Sequence, residues 1–531
     1  LQSIRIRSSI RFSANEANNT SGSALYGIDG LLANEGQNMN LSEGSQNNWE
    51  ASALYKRKLG KPGRTISVDA AIRLNDRNQD GRLEALNSFF EGGLLQDELL
   101  IDQDRIQEEQ VQSFNSGLSY TEPLGKRRYL EWNYYFQQMQ QDASQEVYDE
   151  GAAGTPGMLN QQLSNHYISD YLYHKAGMNF LLNREKFNFS VGINLQQSSL
   201  DGHLVLSDTY IRQDFSNWLP TFSFDYSFDN SHNTRIFYGT SMREPSIREL
   251  QPILDNANPL SLYIGNPELK PEYQHRLNWN YLFFDQFSYL NIFANVSMQY
   301  TENKIQYAQT IDDQFIRTTR PVNVADFVNT NTNISLGTPI RPLKSSINVN
   351  LGWQYSEGPN FINGIDNNTR TQSQSAGLRL DNRKKEKIDV FISTRLRRNT
   401  ASYSLNEEYN QTFRDYKHAA GFTWNWERTR LQFQSNMDYI VYAGRGEDFD
   451  REVPLWQASV SRFFMKDKRI QASFSVRDIL NKNIGISRNA ILNYILDEQV
   501  NALGRYMMVS LQYTVKGFAG TGGGFQVRIN E

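Results

Sequence analysis

From Ser3 to Phe12 the chain alternates: Ile4, Ile6, Ile10 and Phe12 hold even positions, and Arg5, Arg7, Ser9 and Arg11 the odd ones. Successive side chains of a strand point to opposite faces, so this spacing predicts one apolar face and one face bearing arginines. A soluble strand stops after about five or six residues. This run lasts about ten, the length a tilted strand needs to cross a bilayer.

The alternation recurs to the end of the chain. Ile66, Val68, Ala70 and Ile72 alternate with Ser67, Asp69, Ala71 and Arg73, and Ile347, Val349, Leu351 and Trp353 belong to another such run. Counting the segments predicts an all-β protein, a transmembrane antiparallel β-barrel of about 20–22 strands. The connections sort into two alternating sets. Short ones are predicted at Gly60 to Gly63, Glu122 to Lys126, Asn183 to Glu185, Asp229 to Asn233, Asp285 to Phe287, Asp381 to Lys385, Glu427 to Arg428 and Met465 to Lys468. Long polar ones are predicted at Ser13 to Asn47, Asn75 to Glu108, Gln140 to His166, Ser241 to Pro271 and Asn481 to Leu503. Outer-membrane barrels sort short periplasmic turns from long extracellular loops in this way. The barrel is placed at 1–518, and a Gly-rich tail at 519–531.

Composition narrows the setting. The 54 Lys+Arg nearly balance 58 Asp+Glu, so no basic surface for nucleic acid is implied. With no Cys, disulfides, thiolate metal sites and Cys nucleophiles are excluded. No apolar run approaches the roughly 18 residues that a membrane-spanning helix needs. A polar average with 28 Tyr, 30 Phe and 8 Trp fits a strand-crossing protein instead, in the outer membrane of a Gram-negative bacterium with its lipid as a partner. Trp49, Tyr55, Tyr120, Trp218, Trp424 and Tyr439 fall near strand ends, where aromatic girdles belong.

The stretch Ser241-Met-Arg-Glu-Pro-Ser-Ile-Arg-Glu-Leu250, followed by Gly265-Asn-Pro-Glu-Leu-Lys-Pro-Glu272, resembles a signature of TonB-dependent outer-membrane receptors. Val476 to Arg488 and Leu503 to Tyr506 look like the closing segments of an outer-membrane β-barrel family common in Bacteroidota. The resemblance implies a receptor or transporter that admits a bulky, scarce solute, with the TonB complex and a plug domain as partners. It leaves open a structural barrel subunit working with other outer-membrane or surface lipoprotein subunits, and a passive diffusion channel. Receptors of this kind carry the plug upstream of the barrel, whereas residue 1 lies almost at the start of a strand. The plug is thus expected in an N-terminal part of the same polypeptide or in a partner. Within the motif, Arg243, Pro245, Asn266, Lys270 and Glu272 are the candidate ligand or loop-positioning residues. Prolines at 245, 252, 259, 267 and 271 each remove a backbone donor, so the segment is expected to stand outside the sheet as a stiff loop.

Other chemistry is sparse. Asp76, Asn78 and Asp80 before Gly81 resemble the start of a calcium loop and form a candidate structural Ca²⁺ site. Position twelve of that pattern is Asn87, where a bidentate carboxylate is wanted, so a polar turn is the competing reading. His166, His174, His203, His232, His275 and His418 are scattered, no nucleophile motif accompanies them, and no enzyme or other cofactor is predicted. The inward parity carries both signs of charge, including Arg5, Arg7, Arg11, Glu131, Arg395, Arg397 and Asp438. Such a wall suits contact with a plug or with water.

Overall fold

The computed structural model describes residues 2–26, 31–150, 157–252, 254–256, 258, 260–312, 316–382, 387–444, 450–465, 468–483, 485–491, 494–500 and 503–514. Twenty long strands form the wall. The first ten are β1 (Gln2–Tyr26), β2 (Leu32–Lys58), β3 (Thr65–Glu91), β4 (Leu94–Gly125), β5 (Arg128–Asp149), β6 (Asn165–Asn183), β7 (Phe187–Leu204), β8 (Thr209–Ser227), β9 (His232–Arg243) and β10 (Glu272–Phe284). Then come β11 (Asn291–Glu302), β12 (Phe327–Ile340), β13 (Ser345–Ile362), β14 (Ile365–Asn382), β15 (Ile388–Tyr403), β16 (Gln411–Trp426), β17 (Leu431–Ala443), β18 (Arg451–Phe464), β19 (Ile470–Arg477) and β20 (Tyr506–Tyr513). Each pairs antiparallel with the next, from β1 against β2 to β19 against β20. Among the described residues β1 and β20 each have one neighbour in the ladder. Outward side chains on these two strands are accordingly open, with Ile6 74% and Val509 79% exposed.

The register fixes the membrane band. Down the outer face of β15 and β16 the opposed pairs are Arg398/Arg414, Leu396/Tyr416, Thr394/His418, Ile392/Ala420, Val390/Phe422 and Ile388/Trp424. Ten residues separate Ile388 from Arg398. At about 3.4 Å per residue and a tilt near 40° they rise roughly 26 Å, the height of an outer-membrane apolar band. Aromatics mark both borders. Near the short turns His232 stacks on Phe283 at 4.2 Å, and Trp424 lies beside Trp426 at 5.4 Å. At the upper border the outward histidines are held by neighbouring hydroxyls: Tyr134 OH to His174 Nδ1 at 2.8 Å, Tyr238 OH to His275 Nδ1 at 2.8 Å and Thr394 Oγ1 to His418 Nδ1 at 3.0 Å. A ring with a hydrogen-bonded tip suits the boundary between headgroup and hydrocarbon.

The strands overrun this band on one side of the wall. β1 to β4 have 25, 27, 27 and 32 residues, so their upper ends stand roughly 40 Å clear of the hydrocarbon at the same rise. This corrects two predicted loops. Ser13 to Asn47 is the continuing β1–β2 ladder outside residues 27–30, and Asn75 to Glu108 is the β3–β4 hairpin. The latter is closed by Gly92 and Gly93, both at positive φ (57° and 80°), as a two-residue hairpin turn of this kind requires. Just above the lipid, from Asn75 to Gln79, both faces are polar and the apolar period lapses while backbone pairing persists; higher up Leu83, Ala85 and Phe89 are buried again on the inward face. Two other long connections stay partly irregular: Ser241 to Pro271, and Asn481 to Leu503, which holds a separate hairpin Gly485–Ile491/Tyr494–Val500. The tail at 519–531 lies outside the described residues.

Parity predicts an asymmetric response to charge. Val349→Arg, outward and within the band, should lower unfolding free energy in lipid vesicles by about 2–4 kcal/mol. Asn350→Arg, one residue on and facing the concave side, should cost far less; equal losses would contradict the register.

Candidate functional site

Between Arg243, the end of β9, and Glu272, the start of β10, the chain leaves the wall and folds onto the concave side. Prolines remove backbone donors along it, so its fixed points come from other groups. Ser246 opens a one-turn helix, Ile247–Leu250: its N–H and Oγ donate to Glu249 Oε2 at 2.7 and 2.9 Å, a reciprocal cap. The return limb passes so close that a Cβ on Gly265 would lie 2.2 Å from Gln251 O, and only glycine fits there. Asn266 then ties the turn down. Its Oδ1 accepts from the Glu268 N–H at 3.1 Å, and its Nδ2 donates to Pro321 O at 3.1 Å.

Glu272 is the anchor. It is fully buried, and its Oε1 accepts from Lys304 Nζ at 2.8 Å, the Ile305 N–H at 3.0 Å and Arg243 Nη1 at 3.2 Å, while Gln274 donates to Oε2 at 2.9 Å. The second nitrogen of Arg243 donates to both oxygens of Glu249, at 2.8 and 3.0 Å. One guanidinium thus joins two carboxylates, and Lys304 brings in the hairpin Lys304–Ile311/Arg317–Val324. Burial pushes the Glu272 carboxyl up, but hydrogen bonds from Lys304, Gln274 and the Ile305 amide outweigh it and leave it below its ordinary value. Glu249 is depressed in the same way: burial raises it, and Arg243 and Ser246 more than offset that.

The segment has an apolar underside and a far contact. Leu250, Leu269 and Ile305 pack with Tyr167, Leu200, Leu204 and Ile211 on the inward faces of β6, β7 and β8. Glu244 accepts from Tyr171 OH at 2.6 Å and Gln196 Nε2 at 3.2 Å. At its tip, Asn256 accepts from Arg105 Nη2 on β4 at 2.9 Å and donates to Gln103 Oε1 at 3.3 Å. Leu260 reaches β2, where its Cδ1 would be 2.9 Å from a Cβ on Gly36. A segment rooted between the ninth and tenth strands therefore touches the second and fourth. It is a strap across the concave side, above the membrane band.

Residues 57–513 match the outer membrane protein beta-barrel family. The chain belongs to this family. No match was found among curated proteins. Of solved structures, the chain is similar to the unliganded ferric citrate transporter FecA, at 10% identity over 95% of this chain and 78% of that one, with a TM-score of 0.45. It is similar to the copper transporter OprC at 9% identity over 82% and 74%, with a TM-score of 0.43. To the siderophore receptor PirA from Pseudomonas aeruginosa it shows 11% identity over 86% and 79%, with a TM-score of 0.39.

In this outer-membrane chain the motif residues divide by task. Arg243, Asn266 and Glu272 hold the strap to the wall, and Pro245 is buried beside the helix turn. Lys270 is exposed, held by its backbone N–H to Asn323 Oδ1 at 2.7 Å. Asp76, Asn78 and Asp80 lie in β3 with partners on both sides, and Gly81 continues the strand. The turn that would wrap a cation is not formed, which corrects the loop conformation read for this segment. Sequence reasoning missed Lys304, Gln274 and Arg105, whose roles depend on strands far apart in the chain.

The inward charges of the wall are only partly paired. Lys417 bonds Asp438 at 2.8 Å, Arg379 bonds Asp381 at 2.8 Å, and Glu131 accepts from Asn179 Nδ2 at 3.2 Å. Arg395 and Arg397 are exposed and have no ion-pair partner among the described residues. Arg397 borders two adjoining hollows of about 450 and 560 Å³ and Arg395 the first of them; Gln354 and Ser373 line both, and Asn331 lines the second. Arg5, Arg7 and Arg11 face the same side from β1 and are exposed.

The anchor gives two predictions. Glu272→Gln keeps the shape but removes the charge that Arg243 and Lys304 share. It should destabilise the strap by about 2–3 kcal/mol and speed proteolysis within 244–271; unchanged cleavage would contradict the anchoring role. Because Glu249 and Glu272 titrate below their unfolded values, their contribution is present above the unfolded carboxylate pKa and is lost as pH falls through the folded one. Strap protection should therefore hold at pH 5 and be lost only as the pH falls below the ordinary carboxylate range, through the depressed folded values. Protease protection followed against pH reads this directly.

Proposed function

We propose that this chain is the barrel of a TonB-dependent receptor-like transporter, admitting a bulky, scarce solute through a gated lumen. The supporting observation is the strap. A wall of this strand number exceeds that of the porins of 16–18 strands that leave an aqueous channel. A passive pore has no use for a segment rooted at Glu272 and latched across to Arg105 and Gly36. A receptor does: the strap would cover part of the mouth on the side of β2, β4 and β6 to β8 and leave the polar hollows on the opposite stretch of wall accessible.

In this reading the inward charges of the wall meet a plug. Arg5, Arg7, Arg11, Arg395 and Arg397 would face its acidic groups, and Glu131 and Asp438 its basic ones. The plug would come from the same polypeptide or from a partner, and the TonB complex would supply energy from the inner membrane. The motif resemblance around Arg243 and Glu272 supports this reading independently of the strap.

Planar-bilayer recording of the full-length protein from its native outer membrane should show little steady conductance. Arg105→Ala, which frees the tip at Asn256, should add brief openings without a permanent pore if a plug lies below. A large, stable conductance from the unaltered protein would overturn the receptor reading in favour of a diffusion channel.

A further inference from the structure

The outer face of β15 and β16 carries a feature that neither the wall nor the strap requires. Arg398 and Arg414 stand directly opposite each other on adjacent antiparallel strands. Like charges at directly opposed positions destabilise a sheet unless something between them is negative. Both side chains are exposed, and neither has a hydrogen-bonding or ion-pair partner among the described residues. Other outward arginines above the band differ: Arg370 binds Glu357 at 2.9 Å, and Arg82 binds Glu84 at 2.8 Å.

Their height is informative. Below Arg398/Arg414 come Leu396/Tyr416 and then Thr394/His418, just inside the upper border of the apolar band. Above them Thr400 and Thr412 share a hydrogen bond at 3.3 Å. The arginine pair thus lies where outer-leaflet headgroups meet the acyl region. Below the Leu396/Tyr416 row the lipid face is hollowed into a groove of about 290 Å³, bounded by Leu378, Leu380, Ile392, Ala420 and Met437 with Thr394 and His418 at its upper end. Ala420 between larger neighbours makes room for it.

We propose that Arg398 and Arg414 form a phosphate-binding clamp for an outer-leaflet lipid, with one of its acyl chains seated in the groove below. Two guanidiniums present parallel N–H donors to phosphate oxygens, and at the edge of the hydrocarbon that charge-assisted contact is only partly screened. The phosphate cancels the repulsion of the pair, and the chain covers the apolar hollow. Head and tail together select a phosphorylated lipid over a free anion or a neutral lipid. The clamp is on the opposite face from the strap and does not depend on the transport reading.

The test is thermal unfolding of the intact protein in dodecyl maltoside, titrated with dioleoyl phosphatidate, with diacylglycerol and inorganic phosphate as separate arms. Phosphatidate should raise the Tm saturably, and R398Q/R414Q should weaken half-saturation at least tenfold. Ala420→Phe, which fills the groove and keeps both arginines, should weaken it several-fold. Arg276→Gln, which removes a cation from the inward face, should leave it unchanged. Heat-dependent mobility in SDS gels establishes that each variant is folded. Equal half-saturation for R398Q/R414Q and the unaltered protein would overturn the proposal. So would an equal Tm rise with inorganic phosphate, which would mean a free-anion site, or with diacylglycerol, which would mean an unselective apolar groove.

Discussion

A peptide N–H or C=O placed in hydrocarbon finds no water, and leaving it unpaired costs several kcal/mol. Everything in this wall follows from that. Among the described residues the twenty strands pair in one antiparallel series from β1 to β20, and every strand between these two satisfies its backbone on both sides, so the side chains only have to choose a face. Outward positions are apolar over roughly 26 Å and carry rings at both borders. Inward positions are free to be Arg, Asp, Asn or Ser. Once the ladder is established it can continue into water at little cost, and β1 to β4 do so.

The same rule explains why the strap needs charged anchors. The proline-rich segment joins the sheet only through short pairings, Leu254–Asp255 with Ser261–Ile264 and residues 261–263 with 317–319, which corrects the expectation that it stands outside the sheet altogether; between them side chains satisfy its polar groups. Glu272 takes four donors from three parts of the chain, and Arg243 hands one of its nitrogens on to Glu249. Removing one member of such a buried set leaves the others uncompensated, which ties the position of the strap to a few residues. Its tip meets the far wall through Asn256, bonded to Arg105 and Gln103, and through the Leu260–Gly36 approach.

Much of the wall could be read from the residues. Period two is a local signal, and runs such as Ile66 to Ile72 and Ile347 to Trp353 give both the strands and their faces. The short turns announce themselves through Gly, Asn and Asp. The signal fails where its physical cause ends. Above the lipid, Asn38 to Gln46 and Asn75 to Gln79 have two wet faces and no apolar period, so pairing that continues there reads as loop. The Asp76-Asn78-Asp80 spacing reads as a loop for the same reason: alternate oxygens suit a calcium loop and a hydrated strand equally. The motif at Arg243 to Glu272 marked the right segment, yet its partners Lys304 and Arg105 could not be inferred. Those contacts arise only when the curved sheet brings β4 opposite β9 and β10.

The central claim is that residues 244–271 lie across the concave side, with Asn256 against Arg105. The chain has no native Cys, so R105C/N256C places two thiols in it without background. Treatment of intact outer membranes with a short bifunctional thiol reagent tests the juxtaposition directly. The account predicts an intramolecular crosslink in R105C/N256C, and none when the second thiol is placed instead at Ser402 on β15. Separate labelling of both thiols by a bulky maleimide, with no crosslink formed, would contradict it.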